Sequence, residues 1–180
     1  MIVLCIVGKL GAGKDTASDY LCRKYGFVPV SYSEIAHEKT RESGLETTRA
    51  NLQKVSTHYR KTYGEDVFAK IVVEKAKALG DMVLLKEART KQDVLPAMKE
   101  FGGAFHIIEI TVKEQTRFER LKKRGSPKDA KTMREFLAQQ KREEELGYFG
   151  AAEMAEFRLD NDGTPEELYK KLDELMKQMT

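Results

Sequence analysis

A glycine-rich segment near the start of the sequence most constrains how this chain can fold. The apolar run 2–7 leads directly into Gly8-Lys9-Leu10-Gly11-Ala12-Gly13-Lys14, which an amphipathic stretch follows. This spacing of glycine and lysine between a strand and a helix is typical of a phosphate-binding loop, or P-loop. Small residues let backbone N–H groups converge on a phosphate, while the helix dipole and the lysine add positive charge. The residues predicted to contact phosphates are Gly8, Gly11, Ala12, Gly13, Lys14, Asp15 and Thr16.

The position after Lys14 departs from the usual pattern. Ser or Thr normally stands there and its hydroxyl binds Mg²⁺, whereas this chain has Asp15 followed by Thr16. A carboxylate is also a hard oxygen ligand, so we predict that Asp15 binds Mg²⁺ directly or through water. The alternative is that Asp15 is only an acidic first-turn residue favoured by the helix dipole.

The composition limits the possible classes of function. A chain of 180 residues with 41% hydrophobic residues is long enough for one domain with a good core. The net charge of +3 is too small to indicate a nucleic acid or a membrane surface as a partner. The two cysteines show neither a disulfide framework nor a metal-binding spacing, and the first residues lack a basic leader. We therefore expect a cytoplasmic protein that acts on small molecules.

Strand-like and helix-like segments alternate along the chain. Apolar or β-rich runs predict strands, and amphipathic segments between them predict helices. Such an alternation predicts a parallel sheet of about five strands with helices on both faces, a three-layer α/β fold. The predicted strands are residues 2–7, 27–31, 82–85, 105–112 and 157–159.

Two helical inserts interrupt this alternation, at residues 33–79 and 125–150. Ser33 is predicted to cap the first insert, and Thr164 to cap the last helix of the chain. Ligands of open α/β sheets bind at the carboxyl ends of the strands. We therefore expect both inserts to flank the phosphate loop within a single domain, 1–180.

Four segments carry a resemblance to known kinases. The form Gly13-Lys14-Asp15-Thr16 resembles the loop of deoxynucleoside monophosphate kinases, and residues 155–164 resemble the A-D-x-x-I-x-N-x-G-[ST] ending of dephospho-CoA kinases. Residues 51–64 and 117–125 resemble a mostly archaeal family of P-loop kinases related to dephospho-CoA kinase and adenylate kinase. The resemblance covers nearly the whole chain.

The resemblance implies a nucleoside monophosphate kinase-like protein with a P-loop NTPase fold. Its core would bind ATP and Mg²⁺, residues 33–79 would bind the phosphate acceptor, and residues 125–150 would form a lid. The reaction implied is ATP-dependent transfer of a phosphoryl group to a nucleotide or nucleotide-like small molecule, such as a nucleoside monophosphate or dephospho-CoA.

The end of the third strand departs from the pattern of similar kinases. That segment reads roughly D-G-x-R in them, and Lys86-Glu87-Ala88-Arg89 in this chain. The resemblance implies that Arg89 binds the acceptor phosphate, which suits the planar guanidinium. Lys86 stands where an aspartate supports magnesium. Either Glu87 takes the acidic role, or Asp15 carries magnesium alone, or the enzyme is impaired.

Further site residues follow from the same resemblance. Glu34 stands where an acid could act as a base on an acceptor hydroxyl, or it is simply a helix N-terminal residue. Arg41 and Arg60 could supply a cation for the acceptor phosphate. The basic face of the helix before the lid would meet the nucleotide through Arg117 or Arg120, or would be only solvated. Remaining candidates are Arg124, the lid cations Lys128, Arg134 and Arg142, and, for adenine contacts, Asn161 and Gly163.

The predicted function is therefore an ATP- and Mg²⁺-dependent small-molecule kinase, with Lys14, Arg89, Arg120 and Glu34 as catalytic residues. An alternative is a nucleotide-binding protein with weak or no transfer activity, because Lys86 replaces the expected acid.

Overall fold

The computed structural model describes residues 1–127 and 129–179, and within them five parallel strands form one sheet in the order β2-β3-β1-β4-β5. This confirms the predicted three-layer α/β fold with five parallel strands. The first strand has its predicted bounds, and each of the other four differs from the prediction by one residue at one end. The strands are β1 (Ile2–Val7), β2 (Val28–Ser31), β3 (Met82–Lys86), β4 (Phe105–Thr111) and β5 (Phe157–Asp160).

Helices connect the strands and cover both faces of the sheet. α1 alone joins β1 to β2, three helices join β2 to β3, one joins β3 to β4, three join β4 to β5, and one follows β5 in the described residues. The helices are α1 (Lys14–Tyr25), α2 (Tyr32–Glu42), α3 (Arg49–Tyr63), α4 (Val67–Ala78), α5 (Lys91–Phe101), α6 (Glu114–Arg124), α7 (Met133–Glu145), α8 (Gly150–Glu153) and α9 (Pro165–Met179).

Strand β1 lies at the centre of the sheet because its apolar side chains can be buried on both faces. Val3 and Cys5 belong to the core cluster under α4 and α5, whereas Leu4 and Ile6 belong to the cluster under α1 and α9. The register pairs Ile6 with Lys86 of β3 and with Ile108 of β4. The phosphate loop that follows β1 therefore begins between the carboxyl ends of two neighbouring strands.

The start of α2 differs from the prediction. Ser31, and not Ser33, is the N-cap, since its Oγ accepts a hydrogen bond from the backbone N–H of Glu34 at 3.0 Å. The last residue of β2 thus also begins the helix, so the strand enters it without a loop. The predicted start of α9 agrees with the structure, where the side chains of Thr164 and Glu167 bond each other's backbone N–H groups.

The two helical segments between strands differ in size. Helices α2, α3 and α4 fill the interval from β2 to β3, while α7 and the short α8 precede β5. The sequence did not predict α8, which has only four residues. Within the described residues, no helix is both long and apolar enough to cross a membrane.

Candidate functional site: a phosphate loop between two cavities

The glycines of the phosphate loop are required by its geometry. Gly8 has a φ of 144°, and a Cβ atom there would lie 2.5 Å from the carbonyl oxygen of Ile110. Gly13 has a φ of 94°, and its Cβ would lie 2.5 Å from the side-chain nitrogen of Asn161. Larger residues would force β4 or Asn161 away from the loop, because real Cβ atoms do not approach neighbours so closely. The phosphate loop thus packs directly against β4 and against Asn161, which follows β5.

Lys14 begins α1, where the helix dipole favours anions. Its Nζ donates a hydrogen bond to the carbonyl oxygen of Lys9 at 3.2 Å. Burial lowers the pKa of Lys14, although the neighbouring Asp15 opposes that change. The ammonium is therefore held inside the loop, at the place where phosphate oxygens bind in proteins with this motif.

Asn161 supports the loop from outside. Its side-chain N–H donates to the carbonyl oxygen of Ala12 at 2.8 Å, and the side chain is buried. Arg120 in turn donates to the carbonyl oxygens of Asn161 and Gly163, at 2.8 and 3.2 Å. These three predicted nucleotide ligands are therefore engaged with the protein itself. These contacts hold the segment after β5 against the phosphate loop, and Arg120 is not among the lining residues of the two cavities beside the loop.

Arg117 is also directed into the protein. It is only 4% exposed, donates to the carbonyl oxygen of Leu10 at 3.3 Å and to Gln140 of α7 at 2.5 Å, and lies 5.0 Å from the ring of Phe136. Its Nε is buried and has no hydrogen-bond partner within residues 1–127 and 129–179. The side chain is therefore neither solvated nor directed away from the protein. Arg117 instead links the phosphate loop to α7.

A small cavity of about 200 Å³ lies against the phosphate loop. Its walls come from the loop, from the segment after β3 and from the segment around α7 and α8. The lining residues include Gly8, Leu10, Lys14, Asp15, Glu87, Ala88, Arg89, Glu143, Tyr148, Phe149 and Ala152. The α7–α8 side is fastened to the loop by an ion pair between Lys9 and Glu144 at 3.1 Å, and Lys9 also lies 4.8 Å from the ring of Phe149.

A second cavity, of about 480 Å³, lies among α2, α3, α4 and α5. It combines two arginines, hydroxyl groups, carboxylates and aromatic rings, and its size is in the range of ordinary ligand pockets. The lining residues are Tyr32, Ser33, Ala36, Ser56, Arg60, Glu65, Phe68, Glu87, Arg89, Thr90, Gln92, Asp93, Leu146 and Tyr148. The guanidinium of Arg60 lies 5.6 Å from the ring of Phe68.

Glu87, Arg89 and Tyr148 line both cavities, so they form the wall between them. The guanidinium of Arg89 lies 5.0 Å from the ring of Tyr148. The backbone around Arg89 is fixed, because its N–H donates to Asp93 at 2.9 Å and its carbonyl accepts from Ala151 at 2.9 Å. A cation on a rigid backbone therefore faces both spaces.

Glu87 has an unusual backbone and engaged carboxylate. Its φ is 73°, in the left-handed region that side chains rarely adopt. Its Oε2 accepts hydrogen bonds from Ser31 Oγ at 2.5 Å and from the backbone N–H of Ser33 at 3.2 Å. Glu87 thus ties the end of β3 to the start of α2.

The described residues fit a protein-held magnesium ion poorly. Asp15 is 85% exposed, but its carboxylate lies 3.8 Å from the ammonium of Lys86. The Oε2 atom of Glu87 is engaged by hydrogen bonds from Ser31 and Ser33. An ammonium beside the expected ligand repels a divalent cation. The predicted metal roles of Asp15 and Glu87 are therefore not supported by their surroundings.

The remaining predicted site residues lie in different parts of the structure. Arg60 lines the larger cavity, whereas Glu34 and Arg41 line a different groove beside β2. The position of Glu34 does not support its assignment as a base, because the start of the helix turns it away from both cavities. Arg124 pairs with Asp129 at 2.8 Å. Lys128 lies outside the described residues.

The segment after α7 contributes residues to the site that were not predicted from the sequence. Glu143, Tyr148 and Phe149 reach the phosphate-loop cavity, and Arg134 and Arg142 are not among its lining residues. The signal that was available is the aromatic pair Tyr148-Phe149, which directly follows a long charged helix. A pair of aromatic rings after such a helix indicates that the chain turns back toward the protein.

Comparisons with known proteins agree with this fold and loop. A family model described as "AAA domain" matches residues 7–137. A "UPF0200 protein" of Thermococcus gammatolerans is 32% identical over 186 residues, covering 99% of this chain and 95% of the relative. Its counterpart in Thermococcus kodakarensis is also 32% identical, covering 99% and 98%.

A solved structure, shikimate kinase from Acinetobacter baumannii in complex with shikimate, has a similar fold. It matches with a TM-score of 0.59 at 16% identity, over 100% of this chain and 95% of that one. At that identity the match concerns the fold alone. The family model and the full-length relatives establish that this chain has an AAA domain and belongs to the UPF0200 family, and its fold is like that of a P-loop kinase.

Proposed function

We propose that the protein is an ATP-dependent phosphotransferase that acts on a nucleotide or nucleotide-like small molecule. One observation carries the proposal: the phosphate-loop cavity and the larger cavity share a wall that contains Arg89. A phosphoryl donor bound on one side and an acceptor on the other would meet at that guanidinium. Phosphoryl transfer depends mainly on such positioning and on charge stabilisation.

The donor side would be ATP on the phosphate loop. P-loop proteins of this fold commonly bind ATP with Mg²⁺. Lys14 and the backbone N–H groups at the start of α1 would bind the phosphates. The segment of α7 and α8 would act as the lid, since Lys9 and Glu144 already hold it against the loop. A closed lid excludes water and favours transfer over hydrolysis.

The acceptor side would be the larger cavity, between helices α2 to α5. Arg60 and Arg89 suit an anionic group such as a phosphate, since guanidinium groups bind phosphate in a bidentate manner. Phe68 and Tyr148 offer flat rings on which a base can stack. Glu87, whose Oε1 carries no hydrogen bond within the described residues, would orient the acceptor hydroxyl or phosphate oxygen in place of Glu34.

Turnover against a panel of acceptors tests the proposal. Nucleoside monophosphates and dephospho-CoA are offered with ATP, and shikimate serves as an acceptor without a base. We expect transfer to at least one nucleotide-like acceptor. Lys14→Ala should reduce kcat by about 100-fold or more, because a transition-state cation is lost. Lys77→Ala, a lysine of α4 paired with Glu74 and Glu100, is the control and should keep wild-type turnover.

The variant Arg89→Ala tests whether the phosphoryl donor and the acceptor bind in different cavities. We expect the KM for the acceptor to rise by about tenfold or more, with a smaller change in the KM for ATP. Arg41→Ala, in the separate groove, should change neither value. Equal changes in both KM values for Arg89→Ala would contradict the proposed division of the cavities.

A nucleotide-binding protein with weak or no transfer is the second candidate, and the ammonium of Lys86 beside Asp15 favours it. Binding of ATP without transfer to any acceptor in the panel would select this candidate.

A further inference from the structure

The end of β3 places a positive charge where similar kinases carry a negative one. Lys86 pairs in register with Ile6 of β1 and Ser31 of β2, so its backbone lies next to the strand that leads into the phosphate loop. Leu84, two residues earlier, packs in the cluster under α1 and α9. Because side chains alternate along a strand, Lys86 points toward α1 as well.

The Lys86 ammonium is held there. Its side chain is 24% exposed, and its Nζ lies 3.8 Å from the carboxylate of Asp15 in the first turn of α1. The charge of Lys86 also lowers the pKa of Cys22 on α1, although burial of that thiol raises it more. The contact with Asp15, which lines the phosphate-loop cavity, places the ammonium beside the first turn of α1.

The neighbouring acids do not restore a metal site. Glu87 is bonded to Ser31 and Ser33, and Asp15 faces the ammonium. A carboxylate at position 86 would attract a divalent cation, whereas an ammonium there repels one and attracts phosphate oxygens directly. The end of β3 in this chain therefore favours phosphate oxygens over a divalent cation.

We propose that Lys86 is a built-in cation that takes over part of the charge neutralisation of a bound nucleoside triphosphate, so that this chain binds ATP largely without a divalent metal. The inference rests on the proposed function, since it concerns the same phosphate loop. Lys86 acts as a binding residue for the phosphate chain, together with Lys14. Asp15 serves as the partner that holds the Lys86 ammonium in place when no nucleotide is bound.

The test measures the dissociation constant of ATP by calorimetry, without acceptor, in buffer with millimolar Mg²⁺ and in buffer with EDTA. For the wild-type chain we expect the two values to agree within about threefold. Lys86→Met keeps the length and packing of the side chain and removes its charge. We expect its affinity to fall by about tenfold or more in EDTA and much less in Mg²⁺.

Lys86→Asp supplies the reverse charge and should make binding depend on Mg²⁺, with about a tenfold or larger difference between the buffers. Lys39→Met is the matched control. Its side chain is 20% exposed and paired with Glu42, which is similar to the setting of Lys86. Its two dissociation constants should equal those of the wild type. Thermal unfolding of each variant confirms that the chain is folded.

Two results would overturn the inference while leaving the proposed function intact. One is a wild-type chain that binds ATP well only with Mg²⁺. The other is metal-independent binding that persists unchanged in Lys86→Met. A wild-type chain that binds ATP in neither buffer would instead overturn the proposed function itself, and the inference with it.

Discussion

At the residue scale, Glu87 combines a backbone conformation suited to glycine with two hydrogen bonds that glycine cannot make. Its φ of 73° disfavours any side chain. Its carboxylate meanwhile joins the end of β3 to the start of α2 through Ser31 and Ser33. The related pattern D-G-x-R has glycine at this position. Compared with that pattern, this chain has an unfavourable backbone conformation at residue 87 and gains hydrogen bonds between the end of β3 and the start of α2, at the wall between the two cavities.

Two substitutions separate these effects. Glu87→Ala loses the hydrogen bonds and keeps the unfavourable φ, whereas Glu87→Gly loses the bonds and relieves the backbone. We expect the glycine variant to be more stable than the alanine variant by about 1 kcal/mol. Chemical denaturation of both variants measures the difference in the free energy of unfolding. An alanine variant as stable as the glycine variant would contradict the strained conformation.

One part of the candidate site could be predicted from the sequence. The phosphate loop was predictable because consecutive residues form it and its glycines follow from local backbone geometry. The roles of Arg117 and Asn161 were not predictable, because a polar side chain near a site can face the ligand or the loop that holds it. Their buried bonds to Leu10 and Ala12 depend on contacts between segments more than a hundred residues apart.

At the scale of secondary-structure elements, one carboxylate fastens α9 to α1. Asp173 of α9 accepts hydrogen bonds from the hydroxyls of Tyr20 and Tyr25 and from Lys24, each at 2.7 Å. The ring of Tyr20 also stacks on Tyr169 at 4.1 Å between centroids. These contacts lie at the edge of the core cluster under α1 and α9. They fix the helix that follows β5 against the helix that follows the phosphate loop.

This arrangement predicts a dependence of stability on pH. Desolvation alone would raise the pKa of Asp173, but the hydrogen bonds from Lys24, Tyr25 and Tyr20 prevail and lower it to about 2. The unfolded chain therefore binds more protons than the folded chain at pH values between the lowered pKa of Asp173 and the ordinary carboxyl pKa of about 4. The contribution of Asp173 is complete above that window and is lost as the pH falls through it.

Asp173→Asn tests this directly. At neutral pH we expect the variant to be less stable by about 1–2 kcal/mol, because the charged acceptor is lost. The difference from the wild type should shrink steadily as the pH falls from about 4 toward 2, and chemical denaturation across this range measures it. Glu166→Gln, at the exposed start of α9, is the control and should show no such window. A constant difference at all pH values would contradict the lowered pKa.

The elements themselves were largely predictable from the sequence. Apolar runs such as 2–7 and 82–85 indicate buried parallel strands because both faces of the sheet are covered. The cap of α2 was misplaced by two residues, because Ser31 and Ser33 are both good capping residues and only the path of β2 decides between them. The short α8 carries too few residues for a helical period to be visible.

At the scale of the whole molecule, two helical segments face each other across the sheet edge. Helices α2 to α4 form one side of the larger cavity, and the α7–α8 segment lies over the phosphate loop. Leu146 and Tyr148, which follow α7, also line the larger cavity. Closure of one segment therefore affects both spaces. The position of both segments near the phosphate loop was predictable from the sequence. The wall that the two cavities share was not.

Hydrogen exchange tests this coupling. We expect ATP together with an acceptor, or a molecule that mimics both, to increase protection in residues 129–153, because the segment closes on the filled cavities. The acceptor alone should protect mainly residues 32–78. Helix α9, away from both cavities, provides the internal control and should exchange at an unchanged rate. Equal exchange in all segments with every ligand would contradict a closing segment.

Because of the bond between Asn161 and Ala12, the phosphate loop gains one of its supports late in protein synthesis. The two residues are 149 positions apart. A nascent chain that has reached β4 can pair β1 with strands on both sides, yet its phosphate loop still lacks this support. We therefore expect nucleotide to stabilise the growing chain less before residue 161 has left the ribosome than after it. Until β3 and β4 emerge, the apolar β1 has two unpaired edges, which makes it a natural target for a chaperone.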